Sequence, residues 1–152
     1  MMKRSVIKIF IYTFLFFLIS SCSKKGVYLP TGKPLETPDL AAKIGETPES
    51  DPYEIQKVFI DGNLLYVSVK YEGSCSGKDV IEMVGNPNLS QTEIPVRSVK
   101  LAIRAQDASC KEYRNRTFVI NIRELTGMKE RDFETDLQIY GWRTKVRYVF
   151  VP

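Results

Sequence analysis

The sequence predicts an all-β domain: a seven-stranded antiparallel sandwich of immunoglobulin-like architecture behind an export leader and a proline-rich tether. From Tyr53 to the C-terminus apolar and polar residues alternate with a period of two. Turn-forming pairs punctuate that alternation, and no stretch with helical period is long enough to connect strands across a parallel sheet. A small open β-barrel is the alternative closure of the same strands.

The leader occupies residues 1–21. Lys3 and Arg4 form a basic start, and Ile9 to Ile19 form an apolar run of eleven residues. The run ends in Ile19-Ser20-Ser21-Cys22, which resembles the lipobox of bacterial lipoproteins. The resemblance implies cleavage before Cys22 and lipidation of its thiol, making the membrane a partner through that lipid. A transmembrane anchor fits less well, because eleven helical residues span about 17 Å of a bilayer core of about 30 Å. A plain signal peptide followed by an unrelated cysteine is the other alternative. Lipoproteins of this class carry two or three acyl chains, enough for stable anchoring. Ser23, in place of an aspartate, implies by the same resemblance the outer membrane of the cell envelope.

Residues 22–52 read as the lipidated cysteine and a flexible tether. Pro30, Pro34, Pro38, Pro48 and Pro52, with Gly26, Gly32 and Gly45, interrupt both helix and ladder. The competing reading has part of this segment packed on the domain.

The domain is expected over 53–152, with strands near 55–60, 64–71, 79–84, 97–105, 116–122, 133–140 and 143–151. The second sets Leu65, Val67, Val69 and Tyr71 against Leu64, Tyr66, Ser68 and Lys70. The fourth sets Val99, Leu101 and Ile103 against Lys100, Ala102 and Arg104, and the fifth sets Phe118, Ile120 and Ile122 against Thr117, Val119 and Asn121. Asp61-Gly62-Asn63 and Gly141-Trp142 are expected hairpin turns, and Arg123 to Met128 an expected helical turn.

Charge and composition exclude several functions. Three of the 22 lysines and arginines (Lys3, Arg4 and Lys8) precede Cys22, leaving 19 against 18 acidic residues. With so little net charge, no nucleic-acid partner is expected. Histidine is absent, which removes the commonest general base and metal ligand. No phosphate loop, nucleophile elbow or redox cysteine pair occurs, so no cofactor or metal and no enzymatic activity is expected.

Beyond Cys22, the cysteines are Cys75 and Cys110. In an exported chain a disulfide is the leading expectation, against a reactive thiol or half a metal site. Tyr71-x-Gly73-x-Cys75, a second cysteine after a charged loop and Phe118-x-Ile120-x-Ile122-x-x-Leu125 resemble small uncharacterised lipoproteins of the Bacteroidota. The resemblance spans about half the chain and implies a β-sandwich lipoprotein, with no established activity. A histidine often follows the first cysteine by three in that group; here the position is Lys78, and no role carries over to it.

Three surface features remain. Glu134 and Asp136 share a strand face, either as an acid pair or, if Gly141-Trp142 is a two-residue turn, as partners in a ladder. That ladder pairs Asp136 with Arg147, Gln138 with Lys145, Tyr140 with Arg143 and Leu137 with Val146. Phe59, Leu64 and Tyr66 face away from the core and form a partner-binding patch, or else lie beneath the tether or a neighbouring strand. Val84 to Ile94, stiffened by Pro87 and Pro95, suits a presented loop. The leading functional expectation is a non-catalytic, lipid-anchored binding or accessory module with a protein partner. The alternatives are a small envelope hydrolase using carboxylates and an inhibitor or immunity-type module.

The lipidation expectation has a direct test. A palmitate analogue fed to cells labels the wild-type chain and leaves Cys22→Ala unlabelled; a labelled, membrane-pelleting alanine variant would place the anchor elsewhere.

Overall fold

The computed structural model describes residues 37–152 apart from Ala108. The expected signal peptide 1–21, Cys22 and the tether as far as residue 36 lie outside the described residues.

Two sheets face each other around one apolar core. The first is ordered β1(Leu40–Ala41), β7(Lys111–Asn121), β4(Leu64–Ser74), β3(Tyr53–Asp61). The second is ordered β2(Lys43–Ile44), β5(Asp79–Leu89), β6(Val96–Ala105), β8(Glu134–Ile139), β9(Val146–Val149). This is an all-β sandwich, not closed into a barrel. The inward set is the one the alternation marks: Leu65, Val67, Val69 and Tyr71 from β4, Val99, Leu101 and Ile103 from β6, Phe118 and Ile120 from β7. Leu137, Ile139, Tyr148 and Phe150 complete it from the far side.

The seven longer strands match the seven expected, with moved ends. β5 runs on to Leu89, and β7 begins at Lys111 instead of near 116. The sheets are mixed and not purely antiparallel, because β8 pairs with β6 in parallel from Val96↔Asp136 to Val99↔Ile139. The cause is connectivity. After β6 the chain crosses to the first sheet as β7, then returns through a short 3-10 turn at Arg123–Leu125 and enters the second sheet in the direction of β6.

The boundary expected at Tyr53 also moves. β1 pairs with β7 (Leu40↔Ile120) and β2 with β5 (Lys43↔Val84), while Ala42 between them is buried in the core. The chain thus closes one side of the sandwich by switching sheets within five residues. It then meets β6 beyond the end of β8: Asp51 N donates to Ile103 O (2.8 Å), and Ala105 N donates to Asp51 Oδ2 (2.8 Å). Residues 39–51 are therefore part of the domain, because they satisfy strand edges that would otherwise be bare. Pro48 and Pro52 fit this path, which departs from regular pairing on either side of that contact.

The two expected hairpins differ in outcome. Asp61 pairs with Leu64 across Gly62-Asn63, with Gly62 at φ 58°, a conformation that favours glycine. Asn63 does more than turn the chain. Its Oδ1 accepts from Tyr148 Oη (2.8 Å) and Val151 N (3.1 Å), and its Nδ2 donates to Val151 O (2.6 Å). At the other hairpin Asp136↔Arg147 and Leu137↔Val146 hold the expected register, but pairing stops there. Gln138 Nε2 donates to Trp142 O (3.1 Å) instead of facing Lys145, and Tyr140 N bonds Val99 O (2.8 Å) on the opposite side. The parallel bond to β6 draws the end of β8 away from β9.

Cys75 and Cys110 form a disulfide with Cα atoms 5.5 Å apart. They are the next pair beyond Ser74↔Lys111 in the β4–β7 ladder, and Cys75 N donates to Cys110 O (3.1 Å). The bond clamps the end of one sheet. Cys75→Ser and Cys110→Ser are each expected to lower stability by about 2–4 kcal/mol in denaturant titrations, since the bond closes a large loop. The double variant should equal either single one; additive losses would mean that the thiols stabilise the fold separately.

Candidate functional site

Phe59, Leu64 and Tyr66 do come together on the outer face of the first sheet. Phe59 and Tyr66 are register partners on β3 and β4, and their rings stack with centroids 4.4 Å apart and planes 5° from parallel. Lys57 Nζ lies 5.1 Å from the Phe59 centroid, and Val119 stands opposite Tyr66 on β7. Phe59 remains 40% exposed. The described part of the proline-rich segment does not cover this face: it follows β7 and β5 at the closed side and then β6 of the second sheet.

The Tyr71-x-Gly73-x-Cys75 motif builds a different site, at the crossing from β4 to β5. Asp79, the first residue of β5, turns its buried carboxylate back toward β4. Oδ1 accepts from Ser74 N and from Ser74 Oγ, both at 2.8 Å, and Oδ2 accepts from Tyr71 Oη at 3.3 Å. Arg114 Nη1 approaches to 3.8 Å. Gly73 leaves the necessary space, since a Cβ there would stand 2.5 Å from Asp79 Oδ2. Burial pushes the Asp79 pKa up, but the two Ser74 bonds, the Arg114 charge and the Tyr71 bond together hold it below the usual aspartate value. Tyr71 shifts upward, first through its own burial and then through the neighbouring Asp79 charge. A carboxylate held ionised by three donors and a nearby guanidinium is a poor proton shuttle and a good brace.

The other acidic pair is likewise occupied. Arg147 Nε donates to Asp136 Oδ1 (2.6 Å), and its Nη1 donates to Glu134. Of Arg143, Lys145 and Arg147, only Arg147 meets carboxylates among the described residues. No group of three acidic or cysteine side chains among the described residues has the arrangement to hold a metal ion.

The segment Val84 to Ile94 is half strand, with Leu89 as the end of β5, and its register slips between Gly85 and Leu89. Arg97 shapes that bulge from within the domain. Although only 4% exposed, it has carbonyl partners in place of a carboxylate: Nε donates to Leu125 O (2.6 Å), and Nη1 to Asn86 O and, at 3.4 Å, Pro87 O. Burial lowers its pKa from the ordinary arginine value. Beyond the bulge, Ser90 Oγ accepts from Val96 N (2.8 Å), and Thr92 Oγ1 donates to Ile94 O (2.6 Å).

No protein-family model matches the chain, and no curated protein matches it. Among solved structures it is similar to a NigD-like immunity protein from Bacteroides caccae, with a TM-score of 0.47 and 17% sequence identity. The similarity covers 76% of this chain and 59% of that one, so this chain spans less than two thirds of that protein's length.

The Asp79 brace carries a stability and a pH prediction. Asp79→Asn should cost about 2–3 kcal/mol, because charge-assisted bonds to Ser74 are lost in a buried setting. The folded-state pKa is lowered, so this stabilisation is present above the ordinary aspartate value and fades as pH falls through the folded value. Acid titration of stability should accordingly be shallower in Asp79→Asn than in wild type. An unchanged acid limb would assign the effect to another carboxylate.

Proposed function

We propose that the protein is a lipid-anchored envelope lipoprotein whose sandwich binds a protein partner and catalyses no reaction. The supporting observation is the Phe59, Leu64 and Tyr66 patch. Its stacked rings sit on regular paired strands, pre-positioned at little entropic cost, and Phe59 is 40% exposed. The carboxylates that a hydrolase would use are bound into Arg147 and the Asp79 brace. Anchoring rests on the lipobox ending in Cys22, and outer-membrane placement on Ser23. The resemblance to small Bacteroidota lipoproteins adds to this reading.

A second reading has its own support. Arg97 and the Ser90–Ile94 bonds brace the exposed bulge of β5 at Pro87 and Asn88. A stiff, protruding segment suits an inhibitor or immunity-type module that blocks a partner's site.

Photo-crosslinking residues placed at position 59 and, separately, at position 88 in the native lipoprotein distinguish the two. A discrete adduct from 59 alone supports the patch; one from 88 alone supports the presented bulge. Adducts from neither, with both proteins folded and membrane-bound, would sink the binding-module proposal.

A further inference from the structure

The first sheet has an edge that the described residues only partly cover. β7 pairs with β4 over eleven consecutive positions without a bulge, from Leu64↔Asn121 to Ser74↔Lys111. On its other side β1 pairs with Ile120 and Asn121, and among the described residues the strand's backbone contacts with Asp39 end at Val119. Val119 turns its N–H and C=O toward Asp39. Because backbone groups alternate along a strand, those of Thr117, Asn115, Tyr113 and Lys111 point the same way. No described residue bonds them, and all four residues are exposed.

The remaining edges are less open. β3, at the far side of the same sheet, carries a register shift between Ile55 and Lys57, and β9 is only four residues long. β5 has only its first five residues beyond the β2 contact, and Glu82 there already binds Lys43 and Arg104.

Charge selects what can lie along β7. Its exposed part carries Lys111, Arg114 and Arg116 against Glu112, with Lys70 and Glu72 next to it on β4, opposite Asn115 and Tyr113. Arg114 is paired with Glu112 and Asp79 and Arg116 with Asp39, so Lys111 and Lys70 are the cations left for a ligand. Where Asp39 meets the edge, the chemistry that suits it is visible. Asp39 N donates to Val119 O (2.7 Å), Asp39 Oδ2 accepts from Val119 N (2.9 Å), and Oδ1 accepts from Arg116 Nη2 (3.2 Å). An extended backbone with a carboxylate at the arginine is already used once, by the chain itself.

We infer that the free edge of β7, Lys111–Thr117, is a strand-acceptor site for an extended acidic segment of a partner protein. The segment adds to the sheet below Asp39, with main-chain bonds supplying affinity and its carboxylates meeting Lys111 and Lys70. A second copy of the chain would bring the same cations edge to edge and is disfavoured. The inference rests on the binding-module reading but not on the Phe59 patch. A defined peptide probe keeps its outcome separate from the crosslinking result.

The test uses the full-length chain in detergent micelles and an acetylated heptapeptide of alternating glutamate and valine. Hydrogen exchange read by mass spectrometry should slow over residues 111–117 by roughly tenfold or more at saturation. The peptide with lysine in place of glutamate should give no protection, and neither should the glutamate peptide N-methylated at its interior amides. Lys111→Glu with Asn115→Glu, neither residue belonging to the Asp79 brace, should weaken binding about tenfold. Asn115→Pro removes one outward N–H and should abolish binding; if that variant fails to fold, the N-methylated peptide still tests the main-chain bonds. Absence of protection at millimolar peptide, equal protection by the lysine peptide, or protection confined to Tyr53–Asp61 would each overturn the inference.

Discussion

The sandwich depends on holding the chain where it leaves one sheet for the other, and the Asp79 carboxylate does this at the crossing from β4 to β5. Its bonds to Ser74 fix the last residue of β4 against the first residue of β5. Burying an ionised group is expensive unless its lone pairs are met. Here the donors come from the strand end itself and from Tyr71 and Arg114, so the cost is offset only when β4, β5 and β7 are all in place. Asn63 has a similar function at the opposite end, joining the β3–β4 turn to Tyr148 and Val151. The apolar core supplies most of the attraction, which is non-directional. These polar contacts define which ends meet.

Period-two alternation made the core readable because inward positions on β4, β6 and β7 are almost uniformly aliphatic or aromatic. It failed at Lys111–Arg116 for a physical reason. In that half of β7 the positions opposite the core residues Tyr71 and Val69 are Arg114 and Arg116, paired with Asp79 and Asp39, so the apolar pattern disappears although the ladder continues. The parallel pairing of β8 with β6 was hidden because alternation reports which way a side chain faces and not which strand lies beside it. The two-residue strands β1 and β2 are too short to show any period, and the prolines around them suggest a free chain.

The site residues divide in the same way. Phe59, Leu64 and Tyr66 stood out because they break the polar side of an otherwise regular hairpin, and they share the outer face. Arg97 also left a signal: it is in phase with Val99, Leu101 and Ile103, a cation on the inward side of a strand. Its carbonyl partners come from Leu125, Asn86 and Pro87, distant enough in sequence that no local pattern connects them. Asp79 gave no signal in the sequence beyond opening an expected strand, because its meaning comes from Gly73 leaving room for it.

The disulfide has a consequence for damaged chains. Cys75 and Cys110 enclose β5, β6 and the connection between them in a covalent ring. A protease that cuts the exposed residues Gln91 to Glu93 opens that ring without dividing the molecule, since each fragment retains one of the bonded cysteines. A cut between Arg143 and Lys145 lies outside the ring and frees a tail held by noncovalent contacts: the β8–β9 pairing, the Arg147 ion pairs, Phe150 in the core and the Asn63 bonds. Two equally exposed turns of the second sheet thus carry unequal risk: one nick leaves a single covalent particle, while the other makes the final strand a separable part.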